Sequence, residues 1–189
     1  MLLYMQKVLT TLLRVLIVGA MICSGANANP SHDNLHTHLN GAKLLGQGRM
    51  TYWGFDLYDA QLFVAGNNPQ AGLALRINYL RNFKADALRE QTMKEMRQLG
   101  VSDENRQKWS ASLEKIFPNI APGHSLTAIY RPQRGTLFLH NGQMIGEVPG
   151  DDFSKSFFGI WLDPRTSAPQ LRTQLLSQGC TPSFINQQC

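Results

Sequence analysis

Tyr58 is the first residue whose chemistry calls for an explanation. In GFDLYDAQLFV (54–64), Tyr58, Ala60, Leu62 and Val64 fall on one face, and Asp59 and Gln61 on the other. That alternation is the period of a half-buried strand. Phenylalanine would pack as well, so a tyrosine at the head of the buried face brings a hydroxyl that must find a partner. A backbone carbonyl or a ligand could supply it.

The remaining reactive side chains point to less. His32, His36 and His38 lie in the polar arm NPSHDNLHTHLNG (29–41). Neutral imidazoles ligate transition metals, but no cysteine or fixed scaffold accompanies them, so no metal site is assigned. His124 and His140 stand alone near strand ends, without a visible base-orienting partner, and read as turn or edge residues. Asp151-Asp152 head an apolar helix, where capping and compensation of the helix dipole account for them. The hydrolase and redox patterns GxSxG, HExxH and CxxC are absent. GQGR (46–49) is too short for a dinucleotide fingerprint and no helix follows it.

Three segments bound the chain. Residues 1–28 combine Lys7 and Arg14, the apolar run VLIVGAMIC and the A-x-A site Ala26-Asn27-Ala28, with no acidic residue. They are read as a secretory signal peptide, which places the mature chain in the periplasm or outside the cell. A lipoprotein reading of Cys23 is disfavoured by Ile22 before it. The apolar run falls well short of the roughly 20 residues of a spanning helix, so no stable membrane span is expected. Losing Lys7 and Arg14 lowers the Lys+Arg count from 18 to 16 against 13 acidic residues, and the net charge from +5 to +3. With no run of basic residues, nucleic-acid binding is not indicated. The two remaining cysteines, Cys180 and Cys189, close CTPSFINQQC. In an exported chain that spacing is expected to form a disulfide, worth about 2.5–3 kcal/mol by loop entropy, which pins the tail.

Positioning Tyr58 requires a sheet. Strands are expected at 49–53, 56–64 and 73–80, followed by a helix over 85–99 that stops at Gly100. Ser102 is expected to cap a second helix ending at Pro118. SLTAIYRP, GTLFLH and QMIGEV continue as strands, the last two joined by a type I′ turn at Asn141-Gly142. An apolar-faced helix begins at Asp151, and a last one is expected to be capped by Ser167 with Pro169 in its first turn. Segregated runs of strands and helices predict an α+β fold with an antiparallel sheet packed on helices. The expected boundaries are a loosely ordered arm at 29–43, one domain at 44–178 and a disulfide-closed tail at 179–189.

The order of GQGR, GFDLYDAQLF, ALRINYLRNFKADAL, a helical pair, NGQMIGEVPG and FSKSFFGIWLDP, over residues 44–176, resembles the chalcone isomerase-like proteins, most closely their bacterial exported branch. The resemblance implies an open-faced β-sandwich, with a layer of helices over one sheet face and a ligand cleft between, and no cofactor. Plant members cyclise a chalcone by intramolecular addition, whereas other members bind fatty acids. In both, an arginine on an early strand holds an anionic oxygen in the cleft. Arg49 resembles that arginine, and Tyr58 falls where fatty-acid-binding relatives carry a tyrosine. The resemblance thus implies a ligand-binding pair, Arg49 and Tyr58, gripping a fatty acid or similar amphipathic anion. The alternatives are a cofactor-free isomerase acting on an enone, in which Arg49 stabilises an oxyanion and Tyr58 moves a proton, and a non-catalytic structural or interaction protein. Neither a protein partner nor a catalytic residue is assigned.

Overall fold

Alternation of apolar and polar residues dictates the sheet. A computed structural model describes residues 35–66, 72–180 and 185. Six strands follow one another as a meander: β1 (Ala42–Tyr52), β2 (Phe55–Ala65), β3 (Leu73–Tyr79), β4 (Ser125–Arg131), β5 (Gly135–His140) and β6 (Gln143–Pro149). They pair antiparallel in sequence order. The helices are α1 (Leu35–His38), α2 (Ala85–Gln98), α3 (Asp103–Glu114), α4 (Asp151–Leu162) and α5 (Pro169–Leu175).

Two-residue turns connect β1 to β2 and β5 to β6. Asn141-Gly142 has φ of 50° and 79°, as a type I′ turn requires. Trp53-Gly54 forms the same kind of turn, with φ of 51° and 78°. Ser102 caps α3, its side chain accepting from the Asn105 N–H at 3.3 Å. Ser167 does not cap α5 as expected. Its hydroxyl donates to Glu95 Oε2 at 2.7 Å, and Thr166 Oγ1 accepts the Ala168 N–H instead.

The inner sheet face carries Tyr58, Ala60, Leu62, Leu75, Ile77, Tyr79, Leu126, Ala128 and Phe138 in register. It packs on Phe153, Phe157 and Phe158 of α4 and on Trp109 and Leu113 of α3. Phe157 meets Phe138 edge-on, with centroids 5.2 Å apart at 88°, the geometry that ring quadrupoles favour. Burial of each such side chain contributes about 1.5–3 kcal/mol. Asp151, read as a capping residue, instead accepts the Gln133 N–H at 3.1 Å and ties the head of α4 to the β4–β5 turn.

β1 begins at Ala42, ahead of both the strand and the domain start expected from the sequence. Within the expected loose arm, α1 forms, with Leu35 and Leu39 buried in a second apolar cluster with Ala74, Ile129 and Leu137 of the other sheet face. His36 and His38 lie on α1, while His32 lies outside the described residues. Among the described residues no group of His, Cys, Asp or Glu could hold a metal, and no helix is long and apolar enough to cross a membrane. The signal-peptide reading of 1–28 falls outside the described residues, as does Cys189, so the Cys180–Cys189 disulfide stays an expectation.

Candidate functional site

Tyr58 on β2 faces Met50 on β1 and Tyr79 on β3 across the ladder. These side chains open onto a cavity of about 570 Å³ between the sheet and helices α2 and α4. Its walls are largely apolar, with Leu57, Ile77, Phe83, Leu88, Phe117, Leu126, Phe157 and Ile160 among them. A volume in this range suits a drug-sized or single-chain ligand.

The polar groups gather at two places. On the sheet side, the Tyr58 hydroxyl accepts a 3.1 Å hydrogen bond from the Trp161 Nε1–H of α4. The Tyr79 ring stands edge-on to Tyr58, with centroids 6.0 Å apart, and Tyr79 is buried. No hydrogen bond to the Tyr79 hydroxyl is made among the described residues, and the Tyr58 proton likewise has no acceptor there. Burial pushes the Tyr58 phenol up to about 12; the Trp161 hydrogen bond opposes that shift and the charge of Glu95 adds to it. Burial raises Tyr79 as well, with Tyr58 beside it contributing. Both phenols therefore stay protonated at neutral pH and act as hydrogen-bond donors.

On the helix side, Gln91, Thr92, Lys94, Glu95 and Gln98 project from α2, and Ser167 joins them. Glu95 is held by both oxygens, from Gln91 Nε2 at 2.7 Å and from Ser167 Oγ at 2.7 Å.

Arg49 is not part of this cavity, and the expected pair with Tyr58 is corrected by the register. Arg49 lies opposite Asp59, and the residue opposite Tyr58 is Met50. Successive side chains point to opposite faces of a strand, so Arg49 projects from the other face of the sheet. There its guanidinium makes a two-pronged contact with Asp59, at 2.6 and 2.9 Å, and reaches Asp56 at 2.9 Å. The Arg49 side chain is half-exposed, and the two carboxylates raise its already high pKa further.

Tyr79, Trp161 and Glu95 were not singled out from the sequence. The signal that singled out Tyr58, a phenol on a buried strand face, applies equally to Tyr79. His124 and His140, taken as isolated, meet at the sheet end with His140 Nε2 3.1 Å from His124 Nδ1.

A meander sheet whose one face is layered with helices over a largely apolar cavity defines the class of this protein. The chain belongs to the chalcone isomerase-like family, which it matches over residues 30–177. It is 27% identical over 137 residues, 71% of this chain and 67% of the other, to an uncharacterized protein of Haemophilus influenzae. Its fold is similar to that of a fatty-acid binding protein of Arabidopsis thaliana, with a TM-score of 0.54 at 15% identity, covering 77% of this chain and 91% of that one.

Proposed function

We propose that this protein binds a fatty-acid-like amphipathic molecule in the cavity between the sheet and helices α2 and α4. The observation that carries the reading is the cavity itself: about 570 Å³, apolar walls, and two tyrosines, register partners on adjacent strands, on its lining. An acyl chain there gains about 0.8 kcal/mol for each CH₂ removed from water. The fold shared with a protein that binds fatty acids supports the same class of ligand. The isomerase alternative needed Arg49 in the cleft to hold an oxyanion, and the Arg49–Asp59 pairing on the opposite face speaks against it.

Export belongs to the same proposal. Residues 1–28 act as a signal peptide, the mature protein works in the periplasm or outside the cell, and Cys180 pairs there with Cys189. N-terminal sequencing of the protein recovered from the producing cell is expected to begin at Asn29; an intact Met1 end would overturn export by this route.

Native mass spectrometry of the gently purified full chain tests the binding. A co-purified lipid, or uptake of an added C12–C16 acyl compound, is expected. Leu88→Trp, which fills the cavity from the α2 wall, is expected to lower that occupancy. A protein that never retains such a compound under any loading condition would overturn the reading.

A further inference from the structure

The polar groups of the cavity specify more than an amphipathic ligand. Tyr58 and Tyr79 are register partners on adjacent strands and share the inner face. The Tyr58 oxygen is occupied as an acceptor by the Trp161 N–H, which leaves its proton to be donated. With Tyr79 beside it, the lining offers two donors and asks for an acceptor.

The charges on the lining bear on what kind of acceptor it is. Lys94 and Glu95 are the charged side chains on the cavity lining among the described residues. Lys94 is exposed on α2, whereas Glu95 is half-buried and near enough to Tyr58 to raise its pKa. Opposite Tyr58, where a cation would meet a ligand anion, stands Met50. A carboxylate at the tyrosines would lose its hydration, gain two neutral hydrogen bonds and share the cavity with the Glu95 charge. Buried charges are stable only when paired, so that position is costly for an anion. A neutral carbonyl takes the same two hydrogen bonds without that cost.

We propose that the cavity selects a long-chain molecule whose buried polar end is an uncharged oxygen acceptor, an ester, ketone or aldehyde carbonyl, held by the Tyr58 and Tyr79 hydroxyls. This rests on the cavity being a ligand site, and the test separates the two claims.

Methyl dodecanoate, dodecanoate and dodecane share one chain and differ in the polar end. Each is partitioned between cyclodextrin and the full-length protein at about pH 8, where the acid is ionised. The ester is expected to bind at least about tenfold more tightly than dodecanoate, and also more tightly than dodecane. The double variant Tyr58→Phe, Tyr79→Phe is expected to abolish the preference for the ester over dodecane. Each single variant should show part of the loss, so the result does not depend on the double variant folding. Dodecanoate binding as tightly as the ester would overturn the preference for a neutral head group and leave the ligand site standing. Equal binding of ester and dodecane to the native protein would overturn the role of the hydroxyls. Binding of none of the three would overturn the ligand-site reading itself.

Discussion

Gly46→Ala tests how α5 rests on the sheet. Gly46 and Gly48 face α5 from β1, and the missing side chains let the helix backbone lie directly on the strand. A Cβ built on Gly46 would overlap the carbonyl oxygens of Gln174 and Leu175 and come within 2.6 Å of the Leu175 carbonyl carbon. Comfortable carbon contacts begin near 3.5 Å, so the helix would have to move by about 1 Å. The obstacle is main chain, which cannot rotate aside as a side chain can. Overpacking of a core costs about 1–3 kcal/mol, and a backbone obstacle sits at the upper end. Moving α5 also loosens Leu171 and Leu175, both buried. A loss near 3 kcal/mol lowers the melting temperature of a chain this size by about 6–12 °C. Gly48→Ala should cost less, because the overlapped atoms belong to the Gln174 side chain, although Leu171 Cδ1 at 2.8 Å must also yield. Gly54→Ala is the control: nothing lies within 4 Å of its Cβ, so its cost is confined to the strain of φ 78°. Thermal unfolding followed by circular dichroism ranks the three. Gly46→Ala melting no lower than Gly54→Ala would refute the claim that α5 rests on β1 through these glycines.

Four further outcomes follow from the same geometry. Arg49→Ala should leave lipid occupancy in native mass spectrometry unchanged, because the guanidinium serves Asp56 and Asp59 on the other sheet face; loss of ligand would return Arg49 to the site. Tyr58→Phe strips the buried Trp161 N–H of its acceptor and should cost about 1–3 kcal/mol in urea unfolding, with Trp161→Phe costing less in that background than in the native chain; full additivity would show that the hydrogen bond contributes nothing. His140 has its pKa lowered from 6.5 by burial and by His124. The fold thus favours its neutral form, so stability is full above that value and falls as pH drops through it; His140→Gln should flatten the fall in melting temperature between about pH 7 and 5, and an unaltered slope would refute the assignment. Alkylation of the exported, unreduced protein should leave Cys180 and Cys189 unmodified, and reduction should cost about 2.5–3 kcal/mol; two alkylated thiols before reduction would refute the disulfide.

Local rules carried most of the architecture. The period-2 pattern of 73–79, the Asn141-Gly142 turn and the Ser102 cap each depend on neighbours a few residues apart, and each is found where those neighbours place it. The site was less legible because it depends on register and on distant partners. β1 shifts register twice, between Leu44 and Gly46 and between Met50 and Thr51. A shift of one residue turns a side chain to the other face, so Arg49 and Met50 exchange roles with no change in composition. GQGR is too short for a dinucleotide fingerprint, and the reason for its glycines lies in Gln174 and Leu175, more than a hundred residues away. Trp161 and Tyr58 are 103 apart in sequence, and no spacing rule connects them. Glu95 sits in a charged helix between exposed Lys94 and buried Met96, and only the folded chain shows that it borders the cavity.

The choice of tyrosine over phenylalanine at position 58 follows from two demands that meet in one oxygen. Phenylalanine would fill the space but leave the Trp161 N–H without a partner, and a buried donor left unpaired costs about 1–3 kcal/mol. A serine would reach neither Trp161 nor the apolar contacts with Tyr79 and Met50. The phenol spans the layer, accepts from the helix and still has a proton to give. Accepting from Trp161 polarises the hydroxyl, which strengthens what it donates. Tyr79 has no hydrogen bond of that kind among the described residues, and it too lines the cavity. Phenols on neighbouring strands, both lining one cavity, are the hydrogen-bond donors that a ligand oxygen entering it would meet.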